Sequence, residues 1–354
     1  MSQFFSSKYA GLTPYTPGEQ PKDMQYVKLN TNESPFPPCE AVLQAAKNAA
    51  GSLQLYPDPD CRALTAALAE RLGVGAENVI LTNGSDEALN FAFMAFCDEK
   101  HPIVFPDITY GFYPVFAEVN FLPYETVPLR EDFSIAADDY AGIGKNIVIA
   151  NPNAPTGLAL SLREIERIVS SNPDNVVIVD EAYVDFGAES AVPLTKTFPN
   201  LLVTQTFSKS RSLAGGRLGF AVGDAALIRD LNTVKYSTNP YNINRLTNDA
   251  GLAVLENDGY FMDNCRVIAE NRACLTASLE ALGFTVLPSL SNFVFAKHPR
   301  LDGEALYLEL KRRGVLIRHF TAARIRDYNR ITVGSMDQLD ALLREIKTIL
   351  EEAK

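Results

Sequence analysis

A chain of 354 residues is long enough for more than one hydrophobic core, so two domains in one polypeptide is the first expectation. Apolar residues at 47% and charged residues at 21% are those of a soluble globular protein, and a formal net charge of -11 leaves no basic face for general nucleic-acid binding. The five cysteines form no CxxC pair and the three histidines lie far apart, which argues against a disulfide framework and against a metal site. The first residues lack the long apolar core of a signal peptide, and no apolar run approaches membrane-spanning length, so a cytoplasmic protein is expected.

In chain order, the Pro-, Gly- and Asn-rich stretch up to Pro38 has too little periodicity to fold alone. It is expected to cross the surface and join the C-terminal part. Short apolar, β-branched runs at 79–81, 103–105, 147–150, 176–179, 201–205 and 220–222 then read as strands, alternating with helical patterns at 86–96, 161–170 and 224–231. Continuous apolar strands of this length suit an α/β fold, a mostly parallel sheet flanked by helices, with ligands beyond the carboxyl ends of the strands. Further strands at 284–287, 292–296, 315–318 and 330–333, with helices at 303–313 and 336–352, predict a smaller α+β unit. The expected division is a large domain at 40–260 and a small domain built from 1–39, including an N-terminal arm, and 261–354.

Polar residues cluster at the predicted strand ends. Gly84-Ser85-Asp86 opens a helix, whose free N–H groups and dipole suit a phosphate, helped by the permissive glycine backbone. Tyr110 offers a ring that could stack on a flat ligand, or simply fill the core. Asn151 to Gly157 (NPNAPTG) is a turn stiffened by proline that aims an asparagine from a strand end.

In VIVDEAY, Asp180 ends a buried strand, where a carboxylate is costly unless a cation meets it or it caps the next turn. In TFSK followed by LAGGRLG, Lys209 is flanked by hydroxyl residues and followed by Arg217 among glycines. A lysine amine condenses with an aldehyde, and Thr206, Ser208 and the guanidinium fork of Arg217 suit the phosphate of an aldehyde cofactor. A protonated pyridine ring would be the cation Asp180 needs, with Tyr183 beside the ring's phenolic oxygen. Together these requirements describe pyridoxal 5'-phosphate. A nicotinamide site is set aside, because Gly73-Val74-Gly75 is not continued into GxGxxG and follows a helix.

The order NPNAPTG, DEAY, SK and LAGGRLG resembles the fold-type I aminotransferases, and specifically the histidinol-phosphate aminotransferase family. The likeness extends over the chain through Leu12 to Tyr15 (LTPY), Leu29 to Glu33 (LNTNE), Tyr56 to Pro59 (YPDP), Asn83 to Glu87 (NGSDE) and Arg330 to Gly334 (RITVG). It implies a homodimer in which Tyr56 reaches the neighbouring subunit's cofactor phosphate. It also implies that Lys209, Asp180 and Tyr183 carry the chemistry, and that Gly84, Ser85, Asp86, Tyr110, Asn153, Thr206, Ser208 and Arg217 complete the cofactor site. Tyr15, Asn32, Arg318 and Arg330 would bind an amino donor or a 2-oxo acid, the two arginines holding phosphate or carboxylate.

Two positions depart from the family's usual pattern. Ala154 stands where an asparagine usually precedes PTG, so Asn153 is expected to supply that contact or none does. Ser210-Arg211 replaces the usual Ala-aromatic pair after the lysine, and Arg211 is expected to influence substrate preference. The function expected is amino transfer between histidinol phosphate and 2-oxoglutarate in histidine biosynthesis. An aromatic amino-acid aminotransferase and a lyase resembling the threonine-phosphate decarboxylases remain as alternatives on the same scaffold.

Overall fold

The computed structural model describes residues 2–352. From the amino end the chain forms strand β1 (Val27–Lys28), helices α1 (Glu40–Ala50) and α2 (Arg62–Leu72), strand β2 (Val79–Thr82) and helix α3 (Ser85–Phe96). Then come β3 (Ile103–Pro106), α4 (Tyr113–Val119), β4 (Tyr124–Val127), β5 (Asn146–Ala150), α5 (Leu162–Ser170) and β6 (Val177–Asp180). They are followed by β7 (Leu201–Thr206), β8 (Gly219–Gly223), α6 (Ala225–Thr238), α7 (Arg245–Glu256) and α8 (Asp258–Ala281). The chain closes with β9 (Thr285–Val286), β10 (Phe293–Lys297), α9 (Gly303–Arg312), β11 (Val315–Leu316), β12 (Arg318–His319), β13 (Asn329–Thr332) and α10 (Met336–Glu352).

Strands β2 to β8 form one sheet in the order β2-β8-β7-β6-β5-β3-β4. Only β8 runs against its neighbours, so the sheet is mostly parallel, as the apolar runs predict. Alternate residues of its inner strands feed two separate cores: Ile147, Ile149, Val177 and Val179 enter one, Val148 and Ile178 the other. Helices therefore cover both faces, and β5 and β6 are buried at every position. The exception is β4, which the sequence reading missed. Its residues YETV are largely exposed, and it pairs only with β3 at the sheet edge, so it lacks the apolar signature of the inner strands.

Helix α5 starts where the sequence says it should. The Ser161 side chain accepts from the N–H of Glu164, and the Glu164 carboxylate accepts from the N–H of Ser161. Helices α1, α2, α7 and α8 were not expected. In α8 the buried residues Phe261, Cys265, Ile268 and Leu279 recur at helical intervals, but intervening Asn, Asp and Glu dilute the pattern.

The second sheet is antiparallel, in the order β12-β13-β10-β9, and β11 pairs in parallel with β1. The single strand expected at 315–318 is thus divided. Val315 and Leu316 pair with Val27 and Lys28, while Arg318 and His319 pair with Arg330 and Asn329. The N-terminal stretch is tied down here, with Leu29 in the same core as Leu306, Val315 and Ile331. The switch of partners sets Arg318 directly opposite Arg330.

Candidate active site

The carboxyl ends of β2, β6 and β7 and the first residue of antiparallel β8 lie along one edge of the large sheet, since Gly219 pairs with both Thr82 and Thr206. A Cβ on Gly219 would meet the backbone of Gly84 and Ser85, so only glycine lets the start of α3 lie against β8. Gly84 itself has a φ of 74°, and a side chain there would strike the Arg217 guanidinium. The two glycines bring the amino end of α3 and Arg217 to one point. Arg217 adopts a φ of 55°, a left-handed conformation that costs about 1–2 kcal/mol in an L-residue and turns its side chain toward α3.

At this end Arg217 Nη1 donates to Ser208 Oγ (3.3 Å) and Nη2 to Asp86 Oδ2 (3.2 Å), and Thr206 Oγ1 donates to Ser208 Oγ (3.0 Å). The first N–H groups of α3 have no partner within the helix. Hydroxyls, a guanidinium and free amides thus converge on one spot, a donor set made for phosphate. Tyr110 borders the same space, its hydroxyl donating to Asp86 Oδ1 at 2.9 Å.

The other end is built around Asp180, the last residue of β6. Its carboxylate is 4% exposed and accepts from Tyr113 Oη (2.9 Å), Ala182 N (3.3 Å) and Thr204 Oγ1 (3.4 Å). No lysine, arginine or histidine among the described residues pairs with it, and burial pushes its pKa up to about 6. A buried carboxylate without a cation, lining a cavity, fits the protonated nitrogen of a pyridine ring. Between the two ends, Lys209 Nζ donates to the carbonyl of Thr31 (3.3 Å) and sits 5.8 Å from the centre of the Tyr183 ring.

Ser85, Asp86, Tyr110, Asp180, Tyr183, Thr206, Ser208, Lys209 and Arg217 line this one cavity. Phosphate donors at one end, a lone carboxylate at the other and a lysine amine between them are what pyridoxal phosphate requires. Gly84 stands just behind it. An adjoining space shares Tyr110, Tyr183 and Lys209 and is lined further by Tyr15, Arg318 and Arg330. Neither arginine forms an ion pair among the described residues. Arg318 donates to the carbonyls of Thr16 and Pro17 (3.2 and 3.4 Å), and Arg330 to that of Asn30 (3.0 Å), leaving Arg330 Nε buried without a partner. Burial lowers the Arg330 pKa and the Arg318 charge lowers it further, so the pair calls for an anion. Asn32 lies beneath, donating to Tyr183 Oη at 2.9 Å.

Two expectations meet a different geometry. Asn153 does not line the cavity: its amide donates to Ile108 O and Thr156 Oγ1 and accepts from Thr109 Oγ1, which locks it inside the turn while Ala154 faces the site. Arg211 points away, clamped between Asp185 (2.8 Å) and Asp258 (3.2 Å), so it does not touch a substrate in this arrangement. Tyr56, expected to serve the neighbouring subunit's site, is 78% exposed, stacked on Tyr241 and outside the cavity of its own chain. Conversely Tyr113, Thr31 and Thr332 escaped notice as site residues. Tyr113 follows Tyr110 by three residues across the turn that opens α4, and neither it nor the carbonyl of Thr31 carries a signal in sequence.

A site suited to pyridoxal phosphate, on a mostly parallel sheet beside a small antiparallel one, is that of the fold-type I pyridoxal-phosphate enzymes. Residues 24–346 match the family model for class I and II aminotransferases, and the chain belongs to that family of pyridoxal-phosphate enzymes. It is 50% identical over 355 residues to the histidinol-phosphate aminotransferase of Aromatoleum aromaticum, spanning 99% of this chain and 100% of that one. It is 47% identical over 353 residues to the enzyme of the same name from Brachyspira hyodysenteriae, again over 99% and 100%. The solved histidinol-phosphate aminotransferase of Sinorhizobium meliloti in complex with pyridoxal-5'-phosphate shares the fold, with a TM-score of 0.89 over 99% of each chain at 24% identity. Within its class the chain is a member of the histidinol-phosphate aminotransferase family.

Proposed function

We propose that this enzyme moves an amino group between histidinol phosphate and 2-oxoglutarate, as a step of histidine biosynthesis. The observation that carries the reading is the pairing of Arg318 with Arg330 across adjacent strands. Like charges placed directly opposite destabilise a sheet. An anion relieves that cost, and guanidinium groups bind phosphate and carboxylate bidentately. The phosphate of one donor and a carboxylate of the other would therefore take turns at one place.

Pyridoxal phosphate, when bound, supplies an aldehyde that accepts the amino group and a cationic ring that draws electrons from the substrate carbon. In this reading Gly84, Ser85, Asp86, Thr206, Ser208 and Arg217 hold its phosphate. Asp180 keeps the ring nitrogen protonated, and Tyr183 Oη, braced by Asn32, faces the phenolic oxygen. Lys209 Nζ moves a proton between the substrate carbon and the cofactor as a general base and acid. Arg318, Arg330 and Tyr15 position the substrate and close the site to water. Two copies would form a homodimer in the cytoplasm, Tyr56 of each completing the phosphate site of the other. The chain would work as a large domain at 40–260 and a small one from the two ends.

The test is glutamate formation from 2-oxoglutarate with histidinol phosphate, phenylalanine or threonine phosphate as the partner substrate. Preference for histidinol phosphate, with KM raised about 10- to 100-fold by R330A, is expected from the loss of one or two charge-assisted hydrogen bonds. Faster turnover of phenylalanine, or carbon dioxide release from threonine phosphate, would replace this reading with one of its alternatives.

A further inference from the structure

Asp180 must stay ionised to pair with a cation, yet its surroundings oppose this. It is buried, and the charge of Asp86 on α3 acts against it. The groups turned toward it are Tyr113 from the start of α4, Tyr110 from the turn before it, Thr204 from β7, Asp86 from α3 and the Ala182 amide from its own loop, and Tyr183, Lys209 and Arg217 line the same cavity. None of its hydrogen-bond donors is a cation.

The shortest of its hydrogen bonds comes from Tyr113, whose side chain is fully buried, edge-on to Tyr110 at 5.5 Å and against Phe105 at 5.8 Å. We infer, resting on the cofactor reading above, that Tyr113 is the positioning residue that keeps Asp180 charged and fixes the rotation of its carboxylate. Tyr113 touches neither cavity and acts only through Asp180. Tyr110 and Tyr113, three residues apart, each donate to one carboxylate, Asp86 and Asp180 respectively, and so hold two like charges in separate places.

The chemistry of the donor supports this role. Burial and the neighbouring Asp180 raise the Tyr113 phenol well above the ordinary tyrosine range. The hydroxyl therefore keeps its proton through the neutral range and remains available as a donor to Asp180. A hydrogen bond to a charged group is worth enough to move an acid's pKa by about one to two units. Without it, Asp180 would be neutral over much of the neutral range.

The experiment is a titration of the cofactor-free protein with pyridoxal phosphate between pH 5 and 9, followed by visible absorbance. It compares wild type, Y113F, D180N and D180N/Y113F. Wild type should lose affinity on acidification as Asp180 takes up a proton. In Y113F this acid limb should move up by about one to two pH units, giving weaker binding at pH 7 that recovers by pH 9. D180N/Y113F should match D180N, because Tyr113 then has no charge to hold.

The double variant also lacks the carboxylate left short of a donor, so it keeps the comparison usable where Y113F alone does not fold. A Y113F limb at the wild-type pH, or an equal loss in both backgrounds at every pH, overturns the inference in favour of a packing role. Wild-type protein that binds no pyridoxal phosphate at any pH overturns the cofactor reading itself.

Discussion

The Asn32 side-chain amide donates to Tyr183 Oη at 2.9 Å, across 151 positions of sequence. Asn32 is held in the left-handed region at a φ of 58°, and its orientation is set by Thr332. The Thr332 hydroxyl donates to Asn32 Oδ1 (2.9 Å) and accepts from Asn32 N (3.0 Å). With the oxygen satisfied there, the NH2 group must face Tyr183. The phenol oxygen is then an acceptor from Asn32, and its own proton is left for the cavity. Strand β13 thereby orients a side chain at the end of β6.

Replacing Thr332 by valine removes that constraint while keeping the shape of the side chain. One neutral hydrogen bond contributes about 0.5–1.5 kcal/mol, so T332V should lower turnover about 3- to 10-fold, and T332S should restore it. Steady-state kinetics decide the matter. Unchanged turnover in T332V would show that Tyr183 is held by other contacts.

Gly219 lets α3 approach β8. In G219A the added methyl group meets the backbone at Gly84 and Ser85, and backbone cannot step aside as a flexible side chain can. The protein should lose about 1–3 kcal/mol of stability. Its affinity for pyridoxal phosphate should fall more than that of a surface variant of equal stability, because the phosphate end of the site is displaced. Denaturant unfolding and cofactor titration, run side by side, separate the two effects.

Asp180 and Glu181 are both pushed up by burial, to about 6 and about 7. Glu181 keeps its bonds to Ser190, Gln205 and the Ala191 amide, away from the cavity. A carboxyl with a raised folded-state pKa binds a proton that the unfolded chain has already released. Its contribution to stability is complete below about pH 4 and is lost as pH rises through 6 and 7. In the cofactor-free protein, D180N should therefore be more stable than wild type at pH 8 and close to it at pH 5. Added pyridoxal phosphate should raise the wild-type melting temperature more at pH 8 than at pH 5. Thermal melts of both proteins at the two pH values test the sign.

Arg211 has a side chain only 9% exposed and pairs with Asp185 and Asp258, while Arg71 also reaches Asp258 at 2.7 Å. It ties together the loops that carry Lys209 and Tyr183 from behind. R211A would leave Asp185 uncompensated and should cost about 3 kcal/mol. The ratio of activity with histidinol phosphate to that with phenylalanine should not change, since the side chain faces no substrate. A changed ratio would return Arg211 to the substrate site.

Chemistry carried by neighbours in sequence was legible in it. Ser208-Lys209 with Arg217, Asp180 with Tyr183, and Gly84-Ser85-Asp86 each end an apolar run, and the parallel sheet brings those ends together. Links made between distant segments were not. The bond from Tyr113 to Asp180 and the chain from Thr332 through Asn32 to Tyr183 depend on how separate strands meet. Asn153 was misplaced because composition shows a turn but not which of its side chains faces inward. Thr109 and the Ile108 carbonyl, far off in sequence, decide that. The division between β11 and β12 was hidden too, since two strands with different partners read as a single apolar run.

In the proposed function, Lys209 carries pyridoxal phosphate in a site that takes histidinol phosphate as amino donor. The most direct measurement is the visible absorbance of the purified protein loaded with pyridoxal phosphate, then titrated with histidinol phosphate and, separately, with phenylalanine. The expected result is a band that is absent in K209A and that histidinol phosphate converts to the amine form of the cofactor. A band unchanged by K209A, or one that responds only to phenylalanine, would contradict it.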